Sequence, residues 1–238
     1  MRTVLHGYWR DERHGPLPAL LLVLTLVTGL VDAVSYLALG HVFVANMTGN
    51  VVFLGFALAG ATELSIPAAP VAITAFLLGA LAGGRLGSSA AHHRGRLLAI
   101  SSNIQIALLG AAVIVSAAPL AVDGGVARYA LIVLLALAIG LQNAVARRLG
   151  VADLNTTVLT LTLTGIAADS TWAGGSHPNP GRRLAATATM FLGAAIGAAL
   201  LFHVGVAAPL ALALLLLAFN GVVAHRISSS SDPWTRGA

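Results

Sequence analysis

Apolar residues run along this chain in long blocks separated by short polar clusters. Six blocks reach the roughly 20 residues that a bilayer-crossing helix needs: about 17–39, 67–87, 97–119, 128–147, 184–204 and 207–225. Two others, about 42–60 and 154–170, are shorter, and each carries polar residues at its N-terminal side. These are Asn46, Thr48, Gly49 and Asn50 in the first, and Thr156, Thr157, Thr160, Thr162 and Thr164 in the second. The expected fold is an all-α polytopic membrane protein with six full spans plus two short re-entrant or broken helices. Residues 1–226 form a single membrane domain in this reading, and the polar residues 227–238 form a disordered tail.

Composition removes the soluble alternatives. The 238 residues are 58% hydrophobic and only 9% charged, against about 25% charged in an ordinary soluble domain. There is no cysteine, which excludes disulfides, thiolate metal sites and thiol nucleophiles. The net charge of +5 invites a nucleic-acid reading, but every basic residue is an arginine placed between apolar blocks. That placement is a topology signal, because short cytoplasmic loops collect Lys and Arg. With six spans and both termini inside, every arginine but Arg128 falls on the cytoplasmic side. Eight full spans would move Arg85, Arg94, Arg96, Arg147 and Arg148 outside. Arg128 lies outside near Asp123, on the side that Glu63 also faces.

The two halves resemble each other. Gly29-Leu30-Val31-Asp32-Ala33-Val34 aligns with Gly140-Leu141-Gln142-Asn143-Ala144-Val145, Leu39-Gly40 falls close to Leu149-Gly150, and Met47–Asn50 meets Leu159–Thr162. Farther on, Gly79 and Gly83 match Gly193 and Gly197. Each half, about 17–119 and 128–226, holds three crossings, and an odd number turns the second copy upside down. Inverted repeats of this kind recur in transporters, with the solute site near the midplane where broken elements meet.

GLVDAVSYLALGHVFVANMTGN in the first half and GLQNAVARRLG in the second resemble the paired signatures of the YoaK-type family, small bacterial inner-membrane proteins classed as a domain of unknown function. The resemblance implies location and architecture and carries no activity over. At Leu159–Thr162 the chain departs from the MTGT-like second motif and lacks its glycine.

Candidate chemistry sits where polar groups meet membrane depth. A charged carboxylate at a helix centre costs about 2.5–3.5 kcal/mol on insertion scales, so Asp32 is expected to face a cavity or a partner. It would carry a coupling proton, bind a cation, or serve as a structural acceptor, with Asn143 as its repeat mate. Asn46, Thr48, Gly49 and Asn50 stand where a half-helix begins, and its exposed N–H groups suit an anion or a polar neutral solute; helix capping is an equal use for them. Thr160, Thr162 and Thr164 alternate with leucines, a period of two that fits an extended segment as readily as a helix. The expected substrate-binding set is thus Asp32, Asn46, Thr48, Gly49, Asn50, Asn143, Thr160 and Thr162. Gln105 and Asn103 read as interhelical glue, and His92 and His93 lack a third ligand for a metal. No cofactor, metal or catalytic residue is expected, and no nucleic acid. The partners are the lipid bilayer and a small polar or anionic solute, with protons if Asp32 couples, and a homo-oligomer stays open. A small-solute transporter or channel leads; a non-transporting scaffold or accessory subunit, and a membrane-embedded enzyme, are the alternatives.

Overall fold

A computed structural model describes residues 13–61, 67–89, 93–117, 125–151, 154, 156, 157, 159–175 and 180–236. Arg2, Arg10, Glu63, His92 and Asp123 lie outside the described residues. The described residues form eight α-helices: α1 (Leu17–Ala38), α2 (Met47–Leu58), α3 (Ala68–Ser89), α4 (Arg94–Ser116), α5 (Val126–Leu149), α6 (Leu159–Ala168), α7 (Pro180–His203) and α8 (Ala207–Ile227). Six are long and apolar enough to cross a membrane; α2 and α6 are the short ones. At 1.5 Å per residue their 12 and 10 residues reach only about half of a 30 Å hydrocarbon core. The chain is an all-α multi-pass membrane protein. The alternating threonines of the second short segment are helical, so the extended alternative fails there: side chains two apart in a helix point to different faces, and Thr162 is buried while Thr160 and Thr164 are exposed.

Three helix pairs set the architecture, α1 with α7, α3 with α5, and α4 with α8. Glycines mark the closest approaches. Gly193 faces the Leu26 carbonyl and Gly197 faces Leu30, so α1 and α7 run parallel. Gly79 faces the Leu137 carbonyl and Gly83 faces Leu141, so α3 and α5 run parallel as well. Gly95 lies against Ile227 and Gly221 near Ser102, which makes α4 and α8 antiparallel.

These directions decide what the short helices do. Had α6 crossed, four reversals would separate α4 from α8 and leave them parallel; they are antiparallel. With α6 not crossing, parallel α1 and α7 require an even number of reversals between them, and α2 then cannot cross either. Both short helices return toward the end from which they came.

The core is aliphatic and centred on α1 and α5, with Leu21, Leu24, Leu30, Leu131, Ile132 and Leu135 fully buried. Amides stitch it together. Gln142 donates to the Thr28 hydroxyl at 2.9 Å, and Asn220 donates to the Leu20 carbonyl at 2.8 Å. Gln105 bonds within its own helix, to the Ser101 carbonyl.

One end of the bundle gathers the arginines. Arg94, buried at the start of α4, donates to the Leu149 carbonyl at the end of α5 and to the Trp234 carbonyl. A cation at the start of α4 opposes that helix's dipole, but its guanidinium serves the C-terminal end of α5, where positive charge is favourable. By sequence, residues 227–238 are a disordered tail. In the structure the described part of it, to Arg236, packs instead: Trp234 is 9% exposed over Gly15, and His93 Nε2 bonds the Ser230 carbonyl at 2.8 Å. An indole and a helix-end arginine give this polar segment anchors that its overall composition conceals.

Candidate functional site

Asp32 starts the site. It lies near the end of α1, 7% exposed, beside the α1–α7 crossing that Gly29 permits; a Cβ on Gly29 would come within 2.6 Å of the Met190 carbonyl. Beyond α1 the chain reverses at Gly40 and His41, both at positive φ (92° and 56°). The returning strand of the loop then lies over Asp32. Val44 N and Ala45 N both donate to Asp32 Oδ1, at 3.1 and 2.9 Å. Both residues are buried, so the carboxylate satisfies two backbone donors that water cannot reach. Both bonds fall on Oδ1.

The loop ends at α2, whose first turn is capped by Asn46 accepting from Gly49 N at 3.2 Å. Asn50, expected to line the site, is fully buried and faces the loop. Its Oδ1 accepts from Phe43 N at 2.9 Å and its Nδ2 donates to the Phe43 carbonyl at 2.6 Å. It is a latch that spends both functions of its amide on one backbone unit. Gly49 leaves room for the Phe43 ring, 3.0 Å from where a Cβ would sit. Phe43 stacks on Tyr36 at 4.8 Å between centroids and on Phe53 at 6.0 Å.

The first turn of α6 closes the other side. Thr157, Leu159 and Thr160 meet Asn46, Thr48 and Gly49 across an open cleft of about 710 Å³, with Asp32 and Tyr36 in its wall and Met190, Ala194 and Ala198 of α7 behind. The two short helices thus point their N-terminal turns into one cavity. The hydroxyl of Thr157 is buried without a hydrogen-bond partner among the described residues.

Residues 20–223 match the family described as "Protein of unknown function (DUF1275)". The chain belongs to this family. It is similar to the UPF0700 transmembrane protein YoaK of Bacillus subtilis (strain 168), 33% identical over 150 residues. That similarity covers 63% of this chain and 65% of the relative, less than two thirds of the relative's length. No solved structure matches.

In this DUF1275 member, Asp32, Asn46, Thr48, Gly49 and Thr160 of the expected set line one cleft. Asn50 and Thr162 are buried outside the cleft wall, and Asn143 lines a different cleft between α3 and α5. Sequence reasoning missed Tyr36, Phe43, Phe53 and Thr157 as part of the site. Tyr36 was within reach of it, being four residues after Asp32 and so on the same helix face. Asp169, just after α6, pairs with Arg183 at 2.6 Å and does not line the cleft.

Proposed function

We propose that this protein is a small-solute transporter of the bacterial inner membrane, built as an inverted repeat, with its solute site in the cleft between the first turns of α2 and α6. The convergence of those two turns beside Asp32 carries the reading. Packing equivalence supports the repeat: Gly29 meets Met190 and Ala194 as Gly140 meets Phe76 and Ala80, and Gly193 meets Leu26 as Gly79 meets Leu137. Exchange of the halves also converts the α1–α7 pair into α5–α3 and leaves α4–α8 unchanged. Broken elements at the interface of such repeats are where transporters hold solutes.

The lining selects the charge of the solute. Helix N-termini favour an anion, but the described lining residues include one carboxylate and no basic side chain. One carboxylate about offsets the roughly half charge at each of the two helix ends, and aromatic faces such as Tyr36 and Phe43 tip the balance toward a cation. A small polar solute that is neutral or positively charged fits this cleft better than an anion. In proteoliposomes, uptake from a panel of choline, ethanolamine, tetramethylammonium and glycerol should exceed that of empty vesicles for at least one solute. Thr160→Trp, at an exposed position on the cleft wall, should return it to the empty-vesicle level without unfolding the protein. Uptake of none of them, or full uptake by folded Thr160→Trp, would show the cleft is no pathway.

In the same reading the arginine-rich end faces the cytoplasm. The chain has no cysteine, so single replacements report cleanly. Val126→Cys and Val204→Cys, both exposed at the opposite end, should react with an impermeant maleimide on intact cells. Ser88→Cys and Trp172→Cys should react only after permeabilisation. The reverse pattern would invert the orientation.

A further inference from the structure

The cleft that holds Asn143 lies between α3 and α5 and has a volume of about 800 Å³. Its described lining residues are the repeat counterparts of residues lining the first cleft. Phe76, Ala80 and Gly84 stand where Met190, Ala194 and Ala198 stand, and Asn143, Arg147 and Arg148 stand where Asp32, Tyr36 and Leu37 stand. The back wall is apolar in both. The charge-bearing positions are reversed: one holds a carboxyl, the other an amide and two guanidiniums.

We propose that this second cleft is an oxyanion-binding site, taking a compact phosphate-type group through Arg147, Arg148 and the amide of Asn143. The proposal rests on the repeat reading above for its relation to the first cleft, and on its own lining for its chemistry. A topology signal explains why arginines occur at this end, yet any solvated position would serve that purpose. Here both line one concavity, whose described lining contains no acid, and a half-buried amide stands in the same wall. Arg148 is also positioned: its stem lies along α3 where Gly87 has no side chain, with Cγ 3.2 Å from the place a Cβ would occupy. Guanidinium groups paired with a neutral donor match the acceptor-only surface of phosphate.

Gly84 supplies a clean test. A Cβ there meets nothing within 4 Å, so Gly84→Leu fills the cleft without disturbing the helix crossing and without changing charge. Isothermal titration of the purified protein in neutral detergent with inorganic phosphate should give saturable binding. Gly84→Leu and the double variant Arg147→Gln/Arg148→Gln should each weaken it by roughly tenfold or more, the loss expected when charge-assisted contacts go. Arg226→Gln, an exposed arginine at the end of α8, should leave it unchanged. Repetition in nanodiscs separates the sources of the ligand. Phosphate binding that survives in discs containing phosphatidylglycerol assigns the cleft to a free anion; binding present in phosphatidylcholine discs and displaced when phosphatidylglycerol is added assigns it to a lipid headgroup. Absence of saturable phosphate binding to the wild type, wild-type affinity in both cleft variants, or an equal loss in Arg226→Gln would overturn the proposal. The assay needs no flux, so a protein that binds phosphate but fails to transport, or the reverse, tells the two readings apart.

Discussion

Asp32→Asn should fold and melt like the wild type and yet lose uptake of a positively charged solute, whereas Asp32→Leu should fail on both counts. The difference follows from what each side chain still offers. An asparagine Oδ1 can accept from Val44 N and Ala45 N as the carboxylate does at 3.1 and 2.9 Å, so the loop over α1 keeps its anchor. A leucine accepts nothing and leaves two buried backbone donors unpaired, at roughly 1–3 kcal/mol each, which is a large share of a typical net stability of 5–15 kcal/mol. The loop would lift, Phe43 would leave Tyr36, and the wall of the cleft would open. Asparagine removes only the charge, and with it both the attraction for a cation and any capacity to carry a coupling proton. Thermal unfolding in detergent and uptake with and without an imposed pH gradient give the two readouts. Undiminished, pH-driven uptake by folded Asp32→Asn would reduce Asp32 to its structural bonds, leaving Thr48, Thr157 and Thr160 as a site without an ionisable group.

The spans were legible because the bilayer imposes one length on every crossing helix: Leu17–Ala38 and Ala207–Ile227 lie within two residues of the apolar blocks that announce them. The short helices were legible for the same reason, by falling below that length. Asp32 stood out because a charge at depth is expensive. Its actual partners did not, since bonds to residues 44 and 45 depend on a reversal through left-handed Gly40 and His41 that no periodicity encodes. Asn50 misled for a related reason: an amide at a helix start reads as lining until the loop that wraps it is seen. Asn143 misled through symmetry. In the proposed inverted repeat, mates share a site only close to the axis, and Asp32 and Asn143 each line a cleft of their own.

Valine at Gly140 or Gly79 should cost far more stability than a side chain added at the open glycines Gly55 and Gly110. At Gly140 a Cβ would run into the Phe76 carbonyl, and at Gly79 into the Leu137 carbonyl; these are backbone atoms in the middle of long helices and cannot rotate aside. The helices must separate, and the packing on both sides of the crossing is lost with them. Overpacking of a well-filled core costs typically 1–3 kcal/mol, and a crossing held by small residues has no other surface to fall back on, because lipid supplies no hydrophobic drive to hold helices together. Gly55→Ala and Gly110→Ala, where a Cβ meets nothing within 4 Å, are the controls and should melt with the wild type. Gly29 repeats the geometry at the other crossing, 2.6 Å from the Met190 carbonyl, and Gly29→Val should fall in step with Gly140→Val. Comparable losses at both crossings mean that the halves bear equal structural weight, so the difference between Asp32 and Asn143 is a difference of chemistry on a matched frame. A Gly140→Val protein as stable as Gly110→Ala would mean that α3 and α5 can part without cost, and the close parallel pairing described above would not be what holds this bundle together.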